Sequence, residues 1–184
     1  VAFISDIHVG STYFLEENFL KFIKWTNGEE GSDEQRAIAK KLKYVFVVGD
    51  LVAGIGVFPG QEEFLTIKDI REQYNKLTEY LNMIRKDITL IICPGQHDSI
   101  RAAEPQPVLD KDYAEALWKL ENIILVSNPS LINLFASEDF EGFNVLMYHG
   151  ASFHYYFDNI PMLRQGKARL NPSIVLKLLL QKRH

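Results

Sequence analysis

The 184-residue chain sets 20 Lys plus Arg against 24 Asp plus Glu, a formal net charge of −4, with 47% hydrophobic and 24% charged residues. This balance excludes a disordered chain, the lack of any run near ~18 apolar residues excludes a helical membrane span, and the length suits one domain that buries roughly 70% of its unfolded surface. The single cysteine, Cys93, excludes an internal disulfide and a multi-cysteine zinc site, so any metal must be held by His and carboxylate groups, and a reducing cytoplasmic compartment is expected.

Residues 1–5 are a short apolar run that predicts a strand starting at Val1, without an initiator Met, so a longer protein with an upstream domain is expected. Residues 14–25 predict a helix, with Ser11 or Thr12 as N-cap and Asn27-Gly28 as its stop. A further helix is predicted over 33–42 and a buried strand over 44–48. The stretch 52–61 carries three glycines and a proline, too apolar for a linker, and is expected to line something. Over 69–86, Ile70, Tyr74, Leu77, Leu81 and Ile84 recur at three- and four-residue steps, one face of an amphipathic helix. Strands are predicted over 89–93, 122–126 and 143–148, and helices over 110–120 and 173–182. Residues 151–169 mix aromatics with Pro161 and Gly166 and receive no assignment. Strands alternating with helices predict an α/β layered fold with a largely buried sheet.

Residues of ligand type stand at the C-terminal ends of four of these strands: Asp6 and His8, Asp50, Gln96 with His97 and Asp98, and His149. Loops at that edge of an α/β sheet gather distant side chains onto one rim and form its ligand crevice. Asp6 and His8, two apart beyond a strand end, can point to one side once the chain leaves the pleat. With Asp50, Gln96 and His149 they make a mixed oxygen and imidazole set that suits Mn²⁺, Fe²⁺ or Zn²⁺ better than Ca²⁺. Singly, each has an ordinary reading: a capped turn at Asp6 or Asp50, a hydrogen-bonded core histidine at His149. Four together are hard to obtain from packing, because a buried polar group without a partner costs a few kcal/mol.

In order along the chain, Asp6/His8, Gly49-Asp50, Gly95-Gln96-His97-Asp98 and His149 resemble the Asp-x-His, Gly-Asp, Gly-Asn-His-Asp and His motifs of the calcineurin-like metallophosphoesterases. The contexts GDLVAGIGVFPGQ, PGQHDSIRAAEPQP, LVSNPS and MYHG resemble, over essentially the whole chain, the small subunits of archaeal family D replicative DNA polymerases. The resemblance implies β-sheets flanked by helices, with a site for two divalent ions, Mn²⁺ by preference, at the strand C-terminal ends. It also implies a 3′-5′ exonuclease that proofreads DNA 3′ ends for a large catalytic polymerase subunit, away from any membrane. There are two departures. Gln96 stands where the family has Asn, one methylene shorter, and is expected to hold its metal more weakly. The closing Gly-His-x-His is absent, since His184 follows Arg183 rather than Gly, so the domain is expected to be truncated and, alone, catalytically poor.

Carried over by motif, Asp6 and His8 would hold the first ion, Asp50 would bridge, and Gln96 with His149 would hold the second. Cations sharing one carboxylate stay about 3.5–4 Å apart and activate water for in-line attack on phosphorus. His97 would protonate the leaving 3′ oxygen, with Asp98 fixing its tautomer. Arg101 is a candidate phosphate contact beside its reading as a surface arginine. Phe58 is a candidate platform for an unpaired 3′ base beside its reading as loop packing. The net charge gives no overall field for nucleic acid, although bound cations change the local sign. A non-catalytic scaffold subunit and a phosphoesterase for small molecules are the alternative functions.

Overall fold

Five consecutive apolar residues, Tyr44–Val48, leave neither face of a strand suited to water, and the fold covers both. In the computed structural model, which describes residues 1–182, they form strand β2. It pairs in parallel with β1 (Ala2–Ile4) and β3 (Thr89–Cys93), and β4 (Ile123–Leu125) completes a sheet of order β1-β2-β3-β4. The register sets Val45 beside Ala2 and Leu90, and Val47 beside Ile4 and Ile92. These side chains join one core with Ile23, Tyr74, Leu77, Leu81 and Leu117, which come from helices α1 (Glu16–Thr26), α3 (Ile70–Asn82) and α4 (Lys111–Trp118). The alternate side chains Phe46, Ile91 and Cys93 form a second core with Leu134 and Met147. Those two belong to an antiparallel ribbon, β5 (Ser130–Leu134) and β6 (Phe143–Met147). Helices on one face and a second sheet on the other give the expected layered α/β architecture.

The helix starts follow local chemistry. Ser32 and Gln35 form a reciprocal capping box on α2 (Asp33–Lys40). Asp69 caps α3 by accepting from Glu72 N–H at 3.0 Å, and Asp110 caps α4 by accepting from Asp112 N–H at 2.8 Å. The cap expected for α1 differs. Ser11 is bridged antiparallel to Leu65 and its hydroxyl accepts from Tyr13 N–H, so the chain stays non-helical until Leu15.

Strand β5 has no counterpart among the expected elements. It directly follows the Asn128-Pro129 turn, and its outward Leu131 is 67% exposed, so the pattern lacks a clean polar face. The unassigned stretch is helical: α5 (Phe153–Asn159), α6 (Pro161–Gln165) and a 3-10 turn (Ala168–Leu170), then α7 (Ser173–Lys182). The short helices offer too few turns for periodicity to be read, though Pro161 at the first position of α6 is where proline belongs. Read as one domain in the sequence, the chain divides by packing into two compact units, Val1–His149 and a second from Gly150 onward. Among the described residues no helix is long and apolar enough to cross a membrane. His184 lies outside the described residues.

Candidate metal centre

Parallel pairing continues beyond the ends of β1 and β2 as single hydrogen bonds. Asp6 N–H donates to Gly49 O, His8 N–H to Asp50 O and Val9 N–H to Leu51 O, each at 3.1 Å. Between these ties the backbone turns left-handed, with φ of +53° at Asp6, +53° at His8 and +49° at Asp50. Side-chain-bearing residues adopt that region at a cost of order 1–2 kcal/mol, persisting where surrounding structure holds them there. Two such residues spaced by one bring the side chains of Asp6 and His8 together, with His8 Nε2 3.8 Å from Asp6 Oδ1.

Asp50 is the hub. Its side chain is 1% exposed, with Oδ2 3.7 Å from His8 Nε2 and Oδ1 3.5 Å from His149 Nε2. His97 Nε2 lies 3.9 Å from Oδ2, and the His97 backbone N–H donates to Oδ1 at 2.9 Å. Each carboxylate oxygen therefore faces a different histidine. Glycine makes the crowding possible: a Cβ at Gly49 would strike the His149 ring, and one at Gly95 would strike Asp50 and come within 2.8 Å of His149 Nε2.

The electrostatics follow from this packing. The close approach of His8 and Asp6 raises the imidazole above its ordinary value and lowers the carboxyl, against the opposing effect of burial on both. Burial disfavours charge on His149, but the hydrogen bond and attraction of Asp50 outweigh it and push the ring up to about 9. His149 Nδ1 stands 2.9 Å from Val48 O, and its backbone N–H donates to Asn128 Oδ1 at 2.9 Å. Asn128, wholly buried, in turn donates to Gln106 Oε1 at 2.7 Å.

Two groups of donor atoms, each within 4.8 Å of one another, share Asp50: His8, Asp50 and His97, and Asp6, Asp50 and His149. The sequence matches the calcineurin-like phosphoesterase family over residues 1–183. The chain belongs to that family. It is also 47% identical over 184 residues to the DNA polymerase II small subunit of Methanothermobacter thermautotrophicus, covering 100% of this chain and 36% of that protein. The Methanocaldococcus jannaschii protein of the same name is 42% identical over 183 residues, covering 100% and 29%. For that of Pyrococcus furiosus the identity is 41% over 181 residues, covering 98% and 28%. The chain thus spans about a third of the length of these curated relatives.

Carboxylates and imidazoles around one shared Asp are donors that borderline divalent cations accept, and a glycine stands where a Cβ would fill the space between Asp50 and His149, so the residues fit a metal centre of this phosphoesterase family. Asp6 and His8 lie 3.8 Å apart, as the motif carry-over pairs them, and the two groups also set Asp6 with His149 and His97 with His8. Gln96 Oε1 lies 2.8 Å from His149 Nε2, so the amide does face the centre.

Three expected roles meet different surroundings. His97 Nδ1 lies 2.8 Å from Ala53 O, so the carbonyl of Ala53, rather than Asp98, is the partner that sets its tautomer. Asp98 instead accepts from Gly95 N–H at 2.8 Å, Leu51 N–H at 3.3 Å and Tyr74 O–H at 3.2 Å, tying three segments beneath the site. Burial pushes its carboxyl up to about 7 despite those bonds. Arg101 donates from Nε to Pro105 O at 2.7 Å and from Nη2 to the same carbonyl, closing its own loop, and it is not among the residues of the cavity beside the centre. Phe58 does line that cavity, as the 52–61 stretch was expected to do. Ala53, Tyr74 and Asn128, which act here through a carbonyl, a core-face hydroxyl and a turn amide, carry no sequence signal of a site. Cys93 is buried with its thiol pushed up to about 12, so it supplies no nucleophile.

Proposed function

We propose that this chain is the phosphoesterase segment of an archaeal replicative polymerase small subunit and removes nucleotides from DNA 3′ ends with two Mn²⁺ ions. One observation carries the reading: Asp50 turns its two carboxylate oxygens toward two different histidines, the arrangement a bridging carboxylate needs. The relatives, each a DNA polymerase II small subunit, suggest the setting and the partner, a large polymerising subunit. Polymerases extend 3′ ends, so a hydrolase that corrects them must act at that terminus.

Bound divalent cations would activate a water and neutralise the phosphate oxygens. Water attacks the terminal phosphorus, the bond to the 3′ oxygen of the preceding nucleotide breaks, and that oxygen needs a proton. His97 is placed to supply it. With Nδ1–H donating to Ala53 O, the protonated ring carries its second N–H on Nε2, the atom directed toward Asp50 and the centre, and becomes neutral when that proton passes to the leaving oxygen. Asp98 holds the loop that carries His97.

The test is digestion of a 5′-labelled single strand and a 3′-mismatched duplex by the full-length subunit in Mn²⁺. Stepwise shortening that stops on chelation and is lost in Asp50→Asn is expected. Full-length protein that binds Mn²⁺ and leaves both strands intact would overturn the nuclease reading. That result would favour a scaffold subunit, a reading supported by the exposed apolar side chains Leu131 and Phe143 of the β5–β6 ribbon, 67% and 61% exposed.

A further inference from the structure

An open cavity of about 750 Å³ adjoins the candidate centre, and Asp6, His8 and His97 line it together with aromatic side chains. Its volume falls in the range of about 300–1,000 Å³ typical of small-ligand sites. Three of the rings form a row: Tyr13 and Phe64 stand 5.9 Å apart and nearly parallel at 24°, and Phe58 lies 6.3 Å from Phe64, tilted by 44°. Packing does not explain them. Phe14 and Phe19 line the same cavity and pack on the helical core, whereas Tyr13, Phe58 and Phe64 belong to neither core and are 74%, 43% and 37% exposed.

The segments that bear the row are tied down despite its exposure. Gln61, 3% exposed, accepts from Val57 N–H at 2.9 Å and donates to Ala53 O at 2.8 Å, which pins the loop bearing Phe58. Thr12 N–H donates to Phe64 O at 2.8 Å and Ser11 is bridged to Leu65, which ties the segment of Tyr13 to that of Phe64. Prepaid order of this kind favours a ligand that lies flat on aromatic faces. None of the described residues lining the cavity is Lys or Arg, so whatever binds is held there by stacking rather than by a cationic grip on phosphate.

We propose that Tyr13, Phe64 and Phe58 form a stacking shelf for the unpaired terminal base of a DNA strand whose last phosphodiester reaches Asp6, His8 and His97. The inference rests on the nuclease reading above and adds to it the basis of selectivity. A base reaches the shelf only after leaving the duplex, so frayed or mismatched ends are taken before paired ones. Every base has a π-face, so the shelf tolerates all four.

The test uses the full-length subunit, wild type and Tyr13→Ala/Phe64→Ala, with two readouts. The first is cleavage in Mn²⁺ of a single strand ending in a normal nucleotide against one ending in an abasic sugar. Wild type should favour the base-bearing end on the order of tenfold in kcat/KM, and the double variant should lose that preference. The second is quenching of a 3′-terminal 2-aminopurine on a strand whose last linkage is a nuclease-resistant phosphorothioate. Quenching is expected with wild type, lost in the double variant and restored in Tyr13→Phe/Phe64→Tyr, which separates lost stacking from lost fold. An unchanged preference in the double variant would overturn the shelf while leaving the nuclease reading intact. If wild type cleaves neither strand, the nuclease reading fails, and quenching alone then decides whether the row binds bases. Persistent quenching with loss of large-subunit binding in the double variant would make the row a protein contact and overturn the proposal.

Discussion

The side-chain oxygen of Gln96 stands 2.8 Å from Nε2 of His149, so the longer amide already reaches the ring atom that faces Asp50. In the loop from Pro94 the Gln oxygen is thus in place beside the centre, which argues against the expectation that Asn would serve better. Gln96→Asn withdraws the oxygen by a methylene and should weaken the second Mn²⁺ equivalent roughly tenfold, within the range seen for lost supporting contacts at metal sites. Calorimetric titration of the full-length protein checks this. Equal or tighter binding in the variant would mean that backbone position, not side-chain length, sets the site.

His97 and Asp98 are neighbours with separable duties. Loss of a positioned proton donor should lower kcat about 10²–10⁴-fold in His97→Ala with both metal equivalents retained. Loss of one equivalent would instead make His97 a ligand beside His8 and Asp50. Asp98→Ala removes the acceptor of both Gly95 N–H and Leu51 N–H, so a stability loss of about 1–3 kcal/mol is expected. Its pH-rate profile should keep its position, because Ala53 O holds the His97 tautomer. A displaced profile would restore Asp98 as the proton partner.

The metal-free protein should lose stability as pH rises from about 6.5 to 9. His149 is raised from 6.5 to about 9 in the fold, so its contribution is complete below 6.5 and disappears as pH climbs through the folded value. His8, also raised, acts in the same direction. Asp98, raised to about 7, adds to the loss near neutrality for the same reason. Asp6 is lowered, so its contribution is lost only in acid. The histidine term at His149 amounts to about 3 kcal/mol at most. Saturating Mn²⁺ should invert the trend over the same window, because ligating rings must be deprotonated. Thermal melts at stepped pH, with chelator and with Mn²⁺, compare the two, and parallel curves would count against metal binding at these rings.

Arg85 gathers the ends of two helices. Its Nε donates to Thr26 O at 3.0 Å, and Nη2 donates to Ala39 O at 2.7 Å and Leu42 O at 2.9 Å, while Nη1 pairs with Asp87 at 2.8 Å. Arg85→Ala leaves carbonyls at the ends of α1 and α2 without this donor and should cost about 2–4 kcal/mol. Arg85→Lys should recover little, since an ammonium lacks the planar fork that spans three carbonyls. Denaturation midpoints of both variants test this, and a Lys variant as stable as wild type would show that charge alone suffices.

The sequence alone determined the elements that bury a continuous apolar run or a long amphipathic face. Strands β2 and β3 fall on 44–48 and 89–93 as read, and α3 begins at its Asp69 cap, because burial and capping act within a few residues. It also brought out Asp6, His8, Asp50, Gln96 and His149, since ligand-type residues at strand ends leave a pattern in the chain. Tertiary structure alone decided how those residues share space. Left-handed turns at Asp6, His8 and Asp50, and glycines at 49 and 95, bring together groups from four separate loops, which local sequence does not encode. The partner of His97 is a backbone carbonyl 44 residues away, the donors to Asp98 come from distant segments, and Tyr13 meets Phe64 only where two loops are bridged. Strand β5 and the short helices after β6 were likewise settled by long-range packing, since β5 lacks both a continuous buried run and a clean polar face, and helices of five to seven residues offer too few turns for periodicity.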